Sequence, residues 1–122
     1  MNTYQPALSL PRVNGYSPWG HVVSVRKLAP GIMLVTTMSH GGIFLTRDRQ
    51  QQLAERAPQF LNAVEGCAYA PKPTWWEEDC EAVLPLLAFW DELPQEMRRA
   101  AYYANMVRTA NSVYGLNLSE AA

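Results

Sequence analysis

The chain has 122 residues, with 10 Lys and Arg against 11 Asp and Glu, for a formal net charge of −1. That balance excludes a general DNA-coating or membrane-surface binder, which needs a basic excess, and a whole-surface DNA mimic, which needs an acidic one. With 48% hydrophobic and 17% charged residues, and 9 Pro and 7 Gly scattered along it, the chain is neither disordered nor fibrous.

One compact domain over residues 19–118 is expected, preceded by an irregular arm over residues 1–18 and followed by a tail over residues 119–122. Cys67 and Cys80 have no Cys-x-x-Cys spacing, and the first residues lack the charged start and apolar run of a secretory signal, so a reducing cytoplasm is expected. No apolar run approaches the ~20 residues that a bilayer span needs, and no membrane partner is expected.

In chain order, the arm carries Pro6, Pro11, Asn14-Gly15 and Pro18 without a sustained period. From His21 to Leu28, Val23 and Val25 alternate with Ser24 and Arg26, the period of a half-exposed strand. Ala29-Pro30-Gly31-Ile32 is a type II turn, because Pro30 presets φ and Gly31 accepts the positive φ of the next position. A second strand follows over Ile32–Thr37. A loop Met38-Ser39-His40-Gly41-Gly42 then leads to a short third strand, Ile43–Leu45.

Thr46 caps a helix running from about Arg47 to Arg56, with Asp48 in its first turn, and a further turn spans Pro58–Val64. Gly66–Pro73 is a linker. Thr74-Trp75-Trp76-Glu77 matches a capping box, so a second helix is expected there, kinked at Pro85. The last helix is expected from Pro94 to about Val113, mostly buried, with Gly115 as its C-terminal cap.

Three features bear on chemistry. Gly41 and Gly42 beside His40 could bring backbone amides close to a ligand as an anion-binding nest, or simply form a tight connection between strands. Glu77-Glu78-Asp79-Cys80-Glu81 could serve acid-base or ligand chemistry, or complement a helix dipole. The cysteines read as small buried hydrophobes, and neither a zinc site nor any other metal or cofactor is expected.

Charge is also segregated. Residues 1–64 carry six bases against Asp48 and Glu55, whereas residues 73–97 carry seven acids and no base. Such asymmetry either binds two halves of a fold together or displays an acidic face to a basic partner. Trp75-Trp76 reads as core or as an exposed aromatic anchor.

Taken in order, Ser17-Pro18-Trp19-Gly20, Ala29-Pro30-Gly31-Ile32, Thr37 to Ile43 with its His40-Gly41-Gly42, and Trp75-Trp76-Glu77-Glu78-Asp79-Cys80 resemble the pattern of a bacterial domain family of unknown function, DUF7007. The resemblance covers about Ser17–Val83, has Trp76 where the family often has Tyr, and leaves the last helix outside. It implies that Trp19, His40, Gly41, Gly42, Glu77, Glu78 and Asp79 meet in space. It also implies an accessory role on a phage or plasmid.

The expected fold is α+β, a three-stranded antiparallel meander packed with about three helices. The expected function is a non-enzymatic interaction module, a counter-defence inhibitor that binds a host protein and makes no direct contact with nucleic acid. Its candidate binding residues are Trp19, His40, Gly41, Gly42, Trp76, Glu77, Glu78 and Asp79. The alternative is a small hydrolase or metal-dependent enzyme using His40 and the Glu77–Asp79 carboxylates. Trp19 is expected to be mostly buried and to pack beside the glycine pair.

Overall fold

The computed structural model describes residues 10–65 and 74–121. The beginning of the arm, the linker expected over residues 66–73 and Cys67 lie outside the described residues.

Part of the arm is ordered as a hairpin: β1 (Tyr16–Ser17) pairs antiparallel with β2 (Gly20–His21) across Ser17-Pro18-Trp19-Gly20. The Ser17 hydroxyl accepts the Trp19 N–H and donates to the Gly20 carbonyl, so one side chain satisfies both ends of the turn. Asn14, with φ 68°, provides the left-handed residue that starts the hairpin.

Next come β3 (Ser24–Ala29), β4 (Ile32–Thr36) and β5 (Gly41–Leu45), followed by α1 (Arg47–Arg56) and α2 (Pro58–Glu65). Gly31 has φ 82°, as the turn between β3 and β4 requires, and Thr46 accepts the Arg49 N–H as the N-cap of α1. After α2 the chain returns as β6 (Trp75–Glu77), then α3 (Val83–Ala88), two 3-10 turns at Trp90–Glu92 and Gln95–Met97, and α4 (Ala100–Tyr114). Gly115, at φ 67°, closes α4 by donating to Asn111.

Among the described residues the fold is α+β with four helices, and the main sheet has four antiparallel strands in the order β3-β4-β5-β6 rather than three. The additional strand comes from the segment expected to begin a helix. Trp75 and Trp76 favour a pleated surface as well as a helix start, and the open edge of β5 decides in favour of the strand. Gly41 and Gly42 likewise belong to β5 and not to the preceding loop.

Pro85 is the third residue of α3, in the first turn, where its missing N–H breaks no helical bond, so no kink is needed. The helix expected from Pro94 begins only at Ala100, because Gln95–Met97 closes as a 3-10 turn first. Of α4, only Met106, Val107 and Ala110 are fully buried, fewer than expected.

The sheet separates two apolar layers, because successive side chains along a strand point to opposite faces. On one face Leu28, Ile32, Ile43, Leu45 and Trp76 pack with Leu53, Phe60, Leu84, Phe89 and Met106 of the helical layer. On the other, Met33, Val35 and Phe44 form a smaller cluster with Val22, Trp19 and Trp75.

Candidate functional site

The tip of the β4–β5 connection is held by Thr37, whose N–H and hydroxyl both donate to the His40 carbonyl while its hydroxyl accepts the His40 N–H. This leaves the imidazole about half-exposed and directed toward β6. Its Nδ1 lies 3.9 Å from Oε2 of Glu77, too long for a hydrogen bond but close enough for attraction when the ring is protonated.

The two motifs that bring these groups together are joined by register: Gly42 pairs with Glu77, Ile43 with Trp76 and Phe44 with Trp75. The Glu78 N–H donates to the Gly41 carbonyl, extending the contact by one residue.

The acidic run is a strand end followed by a turn, and several of its carboxylates hold backbone. Glu81 Oε1 accepts the Glu77 N–H at 2.9 Å, and Glu77 Oε1 accepts the Asp79 N–H at 3.1 Å. Burial pushes the Glu77 carboxyl above its ordinary value, with repulsion from Asp79 and Glu81 acting in the same direction and the Asp79 N–H opposing it. Burial, with help from the charges of Glu77, Asp79 and Glu81, also raises the Cys80 thiol, the reverse of what a nucleophile needs. Cys80 is only partly buried, not the buried hydrophobe expected. Glu78 and Asp79 face solvent.

The glycines have a steric role. A Cβ at Gly42 would lie 2.2 Å from the Trp76 carbonyl oxygen and 2.5 Å from Cη2 of Trp19. At Gly41 it would lie 2.7 Å from the Val35 carbonyl oxygen. Neither has a positive φ, and both lie in the ladder, so the glycine pair is neither of the two things the sequence offered, an anion-binding nest or a tight connection, but part of a strand. Trp19 packs against Gly42 as expected and meets Trp75 edge-on with centroids 5.5 Å apart, its side chain partly buried in the small cluster.

Trp19, His40, Gly41, Gly42, Glu77 and Glu78 are therefore linked by contact, pairing or hydrogen bond, and Asp79 joins them through Glu77. Trp76 does not. That side chain faces the helical layer with no exposed surface, so of the two readings the sequence offered, core or exposed anchor, it is core, and it is not the binding residue expected.

Among the described residues no group of three His, Cys, Asp or Glu side chains is placed to hold a metal ion. The second imidazole, His21, stacks on Tyr16 and bonds through Nε2 to the Asn14 carbonyl.

Other acids of the same segment tie the halves of the fold together. Glu96 pairs with Arg26, and Glu92 receives a bidentate bond from Arg49, at 2.7 and 3.0 Å, and a third contact from Arg56. Arg49 is the buried charge that sequence reasoning missed. The available signal was its place four residues before Leu53, on the inward face of α1.

A family model described as a domain of unknown function, DUF7007, matches residues 12–115. The chain belongs to the DUF7007 family. The match extends through α4, which the motif resemblance left outside, and contains every residue of the candidate site. No curated protein and no solved structure matches the chain. Among the described residues no helix is long and apolar enough to cross a membrane.

Proposed function

We propose that this DUF7007 domain is a non-enzymatic interaction module, a phage- or plasmid-encoded counter-defence inhibitor that presents the Glu78–Asp79 turn to a basic surface on a host protein. One observation carries the reading: within one acidic segment, Glu92 pairs with the buried Arg49 and Glu96 with Arg26 at the surface, while Glu78 and Asp79 stay exposed next to Glu77, which approaches His40. Exposed charge of one sign raises association rates and selects against like-charged partners. The partly buried Trp19 on the neighbouring hairpin supplies an apolar edge.

The test is capture from a host lysate followed by titration of the recovered partner with the Glu78→Lys, Asp79→Lys double variant. The double variant should bind at least about tenfold more weakly while its stability stays within about 0.5 kcal/mol of wild type, as for other surface substitutions. Equal affinity of the two proteins, or no partner recovered with wild type, would refute the proposal.

A small hydrolase is the second reading, supported by the 3.9 Å approach of His40 to Glu77. Against it stand the backbone bonds that already occupy Glu77 and Glu81. Hydrolysis of generic ester or phosphodiester probes by wild type, lost in His40→Ala, would favour it over the interaction module.

A further inference from the structure

We infer that residues 14–22 form a strap that opens and closes over one face of the sheet independently of the rest of the fold. Among the described residues its hydrogen bonds stay within it, apart from that of the Gly15 N–H, which donates to the Arg12 carbonyl just before it. Asn14 N–H donates to the Val22 carbonyl and Val22 N–H to the Gly15 carbonyl, while Ser17 and His21 bond to Gly20 and Asn14. The first bond from this stretch of chain to the sheet is made just past it, from Val23 N–H to the Thr36 carbonyl.

Among the described residues the strap is seated by two apolar side chains. Val22, 1% exposed, enters the small cluster with Met33, Val35 and Phe44, and the Trp19 ring rests on Gly42 and Trp75. Tyr16, Gly20 and His21 lie at the surface.

A segment with few buried contacts and self-contained hydrogen bonds opens at a lower free energy than the sheet beneath it. The seat is also built to release. Gly42 offers the ring a flat backbone patch rather than an interlocking side chain, and Trp75 meets it only edge-on. Opening uncovers the Met33, Val35 and Phe44 face and removes the aromatic wall beside Gly42, the cross-strand neighbour of Glu77. The strap is thus a conformational device on the rim of the candidate site, and it stands whether or not Glu78 and Asp79 bind a partner.

Native-state hydrogen exchange on the wild-type chain tests it. The Asn14 and Val22 amides should exchange at least about tenfold faster than the Ile43 and Phe44 amides of β5. Trp19→Ala should speed Asn14 and Val22 by about tenfold again, leave the β5 amides within about twofold, and increase binding of an apolar dye; Trp19→Phe should restore most of the protection. Equal exchange of strap and β5 amides in wild type would overturn the inference. So would a Trp19→Ala chain that loses its native circular dichroism, or one whose Val22 amide is unchanged.

Discussion

Replacing Glu92 by Ala strips a nearly buried guanidinium of its two charged bonds. The Arg49 side chain is 9% exposed and keeps the Pro30 carbonyl at 2.8 Å, Gln52 Oε1 at 3.0 Å and the face of the Phe89 ring, but no opposite charge. Removing one partner of a fully buried ion pair costs about 3–5 kcal/mol, because the remaining charge is left without compensation. Glu92 is one-third exposed, so water can enter where its carboxylate was, and we expect about 2 kcal/mol instead.

Urea denaturation followed by circular dichroism should show a lower midpoint at unchanged slope. Arg49→Met should also destabilise, and the double variant should lose less than the two singles together by about 1–2 kcal/mol. The guanidinium bond from Arg49, reinforced by the charges of Arg49 and Arg56, holds the Glu92 carboxyl below its ordinary value against the opposing effect of burial. Its folded pKa therefore lies below its unfolded one. The stabilisation is complete above the ordinary carboxylate value and is lost as pH falls through the depressed folded value. The gap between wild type and Glu92→Ala should be full at neutral pH and narrow below about pH 4. A loss under about 0.5 kcal/mol at neutral pH, or strictly additive single variants, would refute this account of Arg49.

Gly42→Ala places a methyl group against backbone as well as against the Trp19 ring, so β5 and β6 must separate; we expect a loss of about 3 kcal/mol in denaturant melts. A loss below about 1 kcal/mol would show that the close approach is not needed. At Glu77 the sign runs the other way from Glu92. A folded pKa raised by burial opposes stability once the carboxyl ionises, so Glu77→Gln should melt at or above wild type at neutral pH, with the difference closing in acid. A lower melting temperature for Glu77→Gln at neutral pH would mean that the His40 contact outweighs burial.

The parts of the fold that were legible in the sequence are those decided locally. The strand through Val25, the Pro30-Gly31 turn, Thr46 as a cap and Gly115 as a C-terminal residue each depend on neighbours a few positions away, although Val23, expected on the inner face of that strand, precedes β3 and is 50% exposed. Thr74 to Glu77 satisfied two local patterns at once, a capping box and an aromatic strand, and only the edge of β5, some thirty residues earlier, distinguished them. The glycine pair invited a reading of backbone freedom, whereas its cause is contact across space with Trp76 and Trp19. The meeting of the His-Gly-Gly and Trp-Trp-Glu-Glu-Asp motifs was anticipated from family resemblance, but the pairing that achieves it was not. Arg49 escaped because a charge on the inward face of α1 is intelligible only once Glu92 is known to lie above it.

The adjacent tryptophans of β6 leave an ambiguity that the neighbouring acid resolves. Because Trp75 and Trp76 face opposite layers, both of them apolar, sliding β6 by one position would still give each layer an indole. Hydrophobicity alone thus sets no alignment for the shortest strand of the main sheet. Glu77 does: a slip that brought it opposite Ile43 would drive a carboxylate into the helical layer, where burial of an uncompensated charge is prohibitive. Residues that look reserved for binding also fix the alignment, so a charge-reversing or neutralising substitution at position 77 alters the set of sheets the chain can choose between as well as its surface.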